Sequence, residues 1–539
     1  MTDPRGSERI EVRAGSYHDS VTLMQVSRAV AGVDGVLAAQ VAMATDLNLD
    51  VLATMGFTLP RGIGPADLLV AVRALDDEAH DAALAALDGA LAASRVASPG
   101  LSAGLSIGGA GAPAEVPHRT TGAAARGSGA GLALISVPGA HAFVEAMDAL
   151  EAGLDVMVFS DNVPVAQEIR LKDEASRRGR LVMGPDCGTA VVGGVGLGFA
   201  DVVRPGPVGL VAASGTGAQQ VMCLLDAAGV GVRHCLGVGG RDLSAAVGGR
   251  SSLRALALLD ADPDVELIVV VSKPPAPEVE RALRELAGTL STPVQFALLG
   301  PGRPDLTAAS RTAAESVGAT WRALPSWPAP ARSTQPTQPT QPTQPTQPTQ
   351  PTQPPCTRLR AGFVGGTLCD EAMLIAADVL GPVASNIPLA GAPRLAADLT
   401  HTVDGASPDH LMIDFGDDEL TRGRPHPMID GTLRSEWMAR EAAAVGAGQG
   451  AVLLIDVVLG HGAHPDPSAE LAPAVLAARA AGAARGGALA VVISLCGSQG
   501  DPQGLLRQAE ALAASGASVY LSNAEATRAA LSLLAGNHA

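Results

Sequence analysis

The run Ala213-Ser-Gly-Thr-Gly217 places two hydroxyls and two glycines between an apolar stretch, Val208–Ala212, and a helical one, Ala218–Ala228. Glycines let the backbone turn tightly, so that successive N–H groups converge, and the helix start behind them adds about half a positive charge. Such a turn is suited to an anion, which makes Ser214, Gly215, Thr216 and Gly217 candidate phosphate ligands. The competing reading is a plain N-cap by Ser214 or Thr216. Gly365-Gly366-Thr367 follows the apolar run Ala361–Val364, and Gly460-His461-Gly462 follows Ala451–Leu459. The same logic adds Gly365, Gly366, Thr367, Gly460 and Gly462 to the anion-binding set.

A second constellation lies in Asp414–Asp430, which reads DFGDDELTRGRPHPMID. Two guanidinium groups, Arg422 and Arg424, can clamp a carboxylate or phosphate bidentately. Asp417 and Asp418 complete a polar substrate-binding loop, the alternative being a surface loop cross-linked by its own salt bridges. His426, between two prolines, sits on a stiff backbone suited to a proton-transfer group, and Asp414 ends the preceding apolar strand. Lys273 follows the strand Leu267–Ser272, where a crevice is expected, and joins His426 and Asp414 as a catalytic candidate. Asp456, His461, His464 and Asp466 have spacing that permits a metal, but nothing enforces their register, so no metal site is assigned.

These groups need an α/β frame. The chain has 539 residues, 47% hydrophobic, enough for about three to four domains. Its net charge of −17 and 2% aromatic content lack the basic stripe and stacking residues of a nucleic-acid binder. Apolar runs fall short of the roughly 20 residues that span a bilayer, and the first residues have no signal-peptide core. The expectation is a cytoplasmic protein with no nucleic-acid or membrane partner. Six cysteines lie far apart without CxxC or CxxH spacing, so neither a disulfide framework nor a zinc site is expected.

Thr-Gln-Pro repeats within Ser333–Pro354 make an extended, solvated spacer. The division read from the sequence is a small α+β domain at 8–96, ferredoxin-like in plan, with Arg9–Arg13, Ser20–Val33 and Val36–Met43 as strand, helix and strand. A Gly/Ala/Ser/Pro-rich linker follows at 97–128, then a βαβαβ half at 129–204, an α/β lobe at 205–327, the repeat linker at 328–357 and a second, similar lobe at 358–537.

Four segments occur in the order found in the α subunit of succinyl-CoA synthetase, and the chain resembles that protein: Ser160–Pro164, Met183–Thr189, Ala213–Gly217 and Val238–Asp242. Met412–Asp430 and Asp456–Asp466 sit where its β subunit has a C-terminal ligase domain. SKPPA at Ser272–Ala276, GRPHPMID at Gly423–Asp430 and the Asp456–Pro467 stretch resemble the FdrA family, over nearly the whole chain outside the repeat. The resemblance implies a Rossmann-like CoA-binding domain plus two flavodoxin-like lobes of succinyl-CoA synthetase type, with Pro138, Gly139, Ser160, Asn162 and Pro185 lining a CoA-like pocket.

Departures from the ligase bear on function. Its phosphohistidine turn corresponds to Leu298-Leu-Gly-Pro-Gly302, which has no histidine, and its companion glutamate turn is replaced by Ser272-Lys273-Pro274. There is no Walker-type loop, and the short region before the first α/β unit leaves no room for an ATP-grasp domain. Likeness to FdrA implies the large subunit of an oxamate carbamoyltransferase in allantoin catabolism. Such an enzyme converts oxalurate and phosphate into oxamate and carbamoyl phosphate with companion subunits in a hetero-oligomer. On that reading the turns hold phosphate or carbamoyl phosphate as substrate, and the arginines hold a small carboxylate. No resident cofactor is certain, although CoA remains open. The alternatives are an acyl-CoA synthetase subunit that binds CoA and a non-catalytic CoA-binding regulator.

Overall fold

The computed structural model describes residues 6–14, 16, 18, 20–60, 62–65, 67–96, 118, 120–330, 354–422 and 424–535. The Thr-Gln-Pro repeats and most of the 97–128 stretch lie outside the described residues. The chain divides into two compact units, residues 1–186 with 422–425, and residues 187–421 with 426–539.

In the first unit, β1 (Ser7–Arg13), α1 (Ser20–Ala31), β2 (Val36–Met43), α2 (Asp46–Thr54), β3 (Leu68–Ala74) and α3 (Asp77–Val96) form the N-terminal domain. The sheet order is β1-β3-β2, with β3 antiparallel to both neighbours. Strands β1 and β2 are therefore parallel and joined by α1, a split βαβ of the ferredoxin-like kind. Leu23, Val26 and Val30 of α1 and Leu87 of α3 pack on Val41, Val70 and Val72. Helices α2 and α3 and strand β3 add to the elements legible in the sequence, and α4 (Thr121–Ser128) forms within the 97–128 stretch expected to be linker. That helix is capped by Thr120, which accepts from Ala123 N–H, and is stopped by Gly129 in the left-handed region. The expected βαβαβ follows: β4 (Leu132–Ile135), α5 (Gly139–Glu151), β5 (Asp155–Val158), α6 (Val165–Arg177) and β6 (Val182–Met183), a parallel sheet in the order β4-β5-β6.

The second unit opens with the hairpin β7 (Thr189–Val192) and β8 (Val195–Gly198). Then β9 (Val208–Ala212), α7 (Gly215–Ala227), β10 (Val232–Gly237), α8 (Arg250–Asp260), β11 (Leu267–Ser272), α9 (Pro277–Ala287), β12 (Val294–Leu298) and α10 (Leu306–Ser316) wind a sheet of order β12-β11-β9-β10-β7-β8. A second sheet is built from β13 (Ser326–Trp327), β14 (Cys356–Phe363), α11 (Gly366–Leu380), β15 (Ala384–Ser385), β16 (His410–Asp414), α12 (Asp418–Thr421), α13 (Thr432–Ala444), β17 (Gly450–Val458), α14 (Pro467–Ala484), β18 (Ala488–Cys496), α15 (Leu505–Ala514), β19 (Ser518–Tyr520) and α16 (Asn523–Ser532). Its order is β13-β19-β18-β17-β14-β16-β15, parallel except for β13. In both sheets the first parallel strand is flanked by later strands on each side, the flavodoxin-like doubly wound order.

The boundary at 327 needs correcting. Ser326 and Trp327 pair with Tyr520 and Val519, so the chain ahead of the repeats already contributes an edge strand to the second sheet. The two lobes share one core. Val269 and Val271 of the first sheet and Val452 and Leu454 of the second bury residues of α7, α10, α11 and α16 between them. On β17 the alternation sends Leu453, Ile455 and Val457 to the opposite face, against α13, α14 and α15. Each sheet is thus covered on both faces, which explains why its strands read as unbroken apolar runs.

Candidate functional site

Doubly wound sheets leave a crevice at the carboxyl ends of their strands, where the winding reverses. Strand β9 ends there at Ala212 and delivers Ser214, while β14 ends there at Phe363 and delivers Gly365-Gly366-Thr367. Helices α7 and α11, which these turns start, belong to the layer shared by the two sheets, and their N-termini meet. Ser214 caps α7, accepting from Gly217 N–H at 3.0 Å, and donates to Thr367 Oγ1 at 2.6 Å. Ser214 is thus an N-cap, and the two turns expected to bind anions face each other.

The approach is close enough to dictate the glycines. A Cβ on Gly365 would lie 2.3 Å from Thr216 Cγ2, and one on Gly217 would lie 2.9 Å from Thr367 Cγ2. The first-turn N–H groups of a helix have no partner inside the helix, so two positive helix ends converge on one place.

Beside them lies a set of ionisable groups. Lys273, one residue past β11, puts Nζ 3.0 Å from Asp370 Oδ2 on the first turns of α11. A Cβ on Gly366 would come within 2.6 Å of Asp414 Oδ2 and 3.0 Å of Lys273 Nζ, so both groups lie against its bare Cα. Burial pulls the Lys273 ammonium down, but the Asp370 and Asp414 carboxylates outweigh it and hold the lysine charged. Burial pushes the Asp414 carboxyl up to about 7, against the pull of Lys273 and the Gly416 N–H that donates to its Oδ1 at 2.9 Å. Asp370 is also raised, by burial, with Lys273 opposing. Asp370 escaped the sequence reading; its signal was an acid one turn beyond a Gly-Gly-Thr helix start.

His426 reaches the same neighbourhood. A Cβ on Gly416 would sit 3.1 Å from its Nε2 and 3.2 Å from Asp414 Oδ1. Its Nδ1 accepts from Met428 N–H at 3.2 Å, which leaves the proton on Nε2, and its ring packs 5.7 Å from that of Phe199. Burial pushes the imidazole down to about 4, so at neutral pH it is an uncharged N–H donor. Of the two acid–base candidates, Asp414 is the one that titrates near neutrality.

Other predicted residues have different work. The Gly460–Gly462 turn starts no helix, since α14 begins only at Pro467 with Asp466 as its cap. Gly460 N–H goes to Gln503 Oε1 at 3.1 Å, and a Cβ on Gly460 would strike the Ala200 carbonyl at 2.7 Å. Gly460 and Gly462 are therefore packing glycines rather than anion ligands. Asp417 accepts from Glu419 N–H at 3.0 Å and turns the chain into α12, on which Asp418 is exposed. Arg422 and Arg424 are exposed as well.

Asp456 pairs with Arg434, another residue the sequence reading missed: Arg434 Nη1 donates to Asp456 Oδ1 at 3.1 Å and to its carbonyl at 2.5 Å. His464 lies 3.4 Å from Glu470, and Asp466 caps α14 and pairs with Arg507 at 2.7 Å. Asp456, His464 and Asp466 thus have separate partners. In the first unit, the Pro138-Gly139 and Ser160–Asn162 turns do come together. Ser160 Oγ donates to Val137 O at 2.5 Å, and a Cβ on Gly139 would lie 2.1 Å from Asp161 O. Asn162 is left-handed at φ 53°, exposed beside them, and Pro185 is buried.

Residues 363–533 match the CoA-ligase family. Residues 6–104 match the AllF heavy metal-associated domain, a segment that holds no cysteine in this chain. YahF of Escherichia coli K12 is 34% identical over 508 residues, 94% of each chain. Subunit alpha 2 of the succinate–CoA ligase [ADP-forming] of Archaeoglobus fulgidus is 28% identical over 154 residues, 28% of this chain and 52% of that one. The match therefore spans about half the length of such α subunits. Among solved structures, the dinucleotide-forming acetyl-coenzyme A synthetase 1 of Ca. Korarchaeum cryptofilum aligns with 16% identity, 75% of this chain and 82% of that one, and a TM-score of 0.25.

Proposed function

The chain belongs to the family of Escherichia coli YahF and is succinyl-CoA synthetase-like, and from that premise we propose that it is the large, phosphate-handling subunit of a carbamoyltransferase of FdrA type. The observation that carries this reading is the 2.6 Å contact between Ser214 and Thr367, which closes two helix N-termini around one position. A phosphate held there faces the fixed charge of Lys273 and the near-neutral carboxyl of Asp414.

In oxalurate phosphorolysis a phosphate oxygen attacks the carbamoyl carbon, the carbon–nitrogen bond to oxamate breaks, and the leaving nitrogen takes a proton. Lys273 would offset the negative charge of the phosphate and of the tetrahedral intermediate. Asp414, protonated in a sizeable fraction of molecules at pH 7, would supply the proton. His426, as a neutral Nε2–H donor, would orient the substrate rather than shuttle protons. Loss of oxalurate by the chain reconstituted with its companion subunits should depend on phosphate. Ser214→Asp, which places a negative charge in the turn, should abolish it, and undiminished turnover would overturn the reading.

The likeness to CoA-ligase α subunits favours a second reading, a subunit that binds CoA and works with a nucleotide-binding chain. CoA would then raise the melting temperature, and ATP would leave acid-labile label on this chain when the partner is present. Phosphate-dependent oxalurate loss without such label favours the carbamoyltransferase.

A further inference from the structure

Within the second unit a carboxylate and two thiols meet in a place the anion site does not use. Asp201 lies in the extended run before β9, Cys223 on α7 and Cys496 at the end of β18. Their exposures are 3%, 4% and 0%, and one ligand atom from each falls within 4.8 Å of the others. Neither Asp201 oxygen receives a hydrogen bond of ordinary geometry, although the Cys223 thiol, the Gln219 amide and the Asp501 carboxyl all act on it. A buried carboxyl group left so is costly unless it is protonated or coordinated. Two thiols and one carboxylate are a donor set that suits a thiophilic cation and not magnesium or calcium.

We infer that Asp201, Cys223 and Cys496 form a buried site for a thiophilic divalent cation of the zinc class, clamping the two lobes to each other. Cys223 comes from the first lobe and Cys496 from the second, so a shared ion would add a cross-link to the core that the two lobes already share. Asp501, whose oxygens accept from Val202 and Ser498 N–H at 2.7 Å each, stands close by and adds negative charge. Burial and Asp501 push the Asp201 carboxyl up, burial pushes Cys223 up, and Cys496 rests at about 11, its hydrogen bond with Cys223 pulling down while burial pushes up. The cysteines are distant in sequence, which is why spacing gave no sign of them.

The full chain, expressed in medium supplemented with cobalt, should carry about one cobalt per chain and show a thiolate-to-cobalt charge-transfer band with tetrahedral visible absorption. Cys223→Ser and Cys496→Ser should each lose about half of that band and the double variant all of it. Cys235→Ser, a buried thiol outside the cluster, should keep it. Protein from zinc-supplemented medium should hold zinc near one per chain, and stripping it should lower the melting temperature. A wild-type chain without the band and without near-stoichiometric zinc overturns the site, as does a band that survives in the double variant.

Discussion

Ser214 Oγ donates to Thr367 Oγ1 across 2.6 Å, joining the cap of α7 to the first turn of α11, two helices that the repeat segment separates in sequence. Ser214 also accepts from Gly217 N–H, so one hydroxyl both caps α7 and fixes the width of the gap between α7 and α11. Ser214→Ala removes a cap and orphans a buried hydroxyl, and should cost about 1–3 kcal/mol. Thr367→Val, which keeps shape and loses the acceptor, should cost about 1 kcal/mol. A double-mutant cycle by urea denaturation should return a coupling of about 0.5–1.5 kcal/mol. A coupling of zero would mean that the Ser214 cap and the first turn of α11 do not hold each other.

Gly365 has no room for a methyl group, because Thr216 would lie 2.3–2.6 Å from it. Gly365→Ala should destabilise the protein by about 1–3 kcal/mol and, on the proposed function, abolish the rise in melting temperature expected with phosphate. Thr216→Gly in the same chain takes away the obstructing atoms and should restore part of the stability. Calorimetry with and without phosphate reads both effects.

The sequence made most of this frame legible and little of its wiring. Strands such as Val208–Ala212 and Leu267–Ser272 are buried on both faces, so they appear as short apolar runs between glycine turns, and the windings followed from their order. The placing of Ser214 beside Thr367 was not legible, because it depends on two lobes packing through a common helix layer. The same holds for Lys273 with Asp370, and for Asp201 with Cys223 and Cys496. The Gly460 turn misled because glycine after a strand looks alike whether it cradles an anion or avoids a backbone, here that of Ala200. Ser326–Trp327 misled because a two-residue edge strand has no periodicity to read.

Asp414 ties stability to pH. Its folded pKa of about 7 stands above the ordinary 3.8, so between about pH 4 and 7 the folded state keeps a proton that the unfolded state has released. Stability from this group is therefore full below pH 4 and lost progressively as pH rises to 7, by at most about 1.4 kcal/mol per unit. Asp414→Asn should flatten that part of the profile while leaving the shares of Asp456 and Glu371, which are raised to about 6 and about 7. Lys273→Met removes the cation that pulls Asp414 down and should move the limb to higher pH. Unfolding free energies at half-unit intervals from pH 4.5 to 8 test both, and a profile unchanged in Asp414→Asn would refute the assignment.

Arg434 and Asp456 make the most demanding pair in the second lobe. Their side chains are 4% and 0% exposed, and Asp456 also receives Val364 N–H at 2.8 Å, which anchors the strand end that leads into Gly365. Taking both charges out of water costs several kcal/mol per ion, and the pair offsets this only while both members are present. Arg434→Met should therefore cost about 3–5 kcal/mol at pH 8, where the stranded carboxylate is ionised, and less at pH 5, where Asp456 takes up a proton. Adding Asp456→Asn to Arg434→Met should return most of the loss, because the amide oxygen can still accept from Val364 and no charge remains buried. If the double variant were as unstable as the single, the Arg434 side chain would matter for its volume and for its bond to the Asp456 carbonyl, and not for its charge.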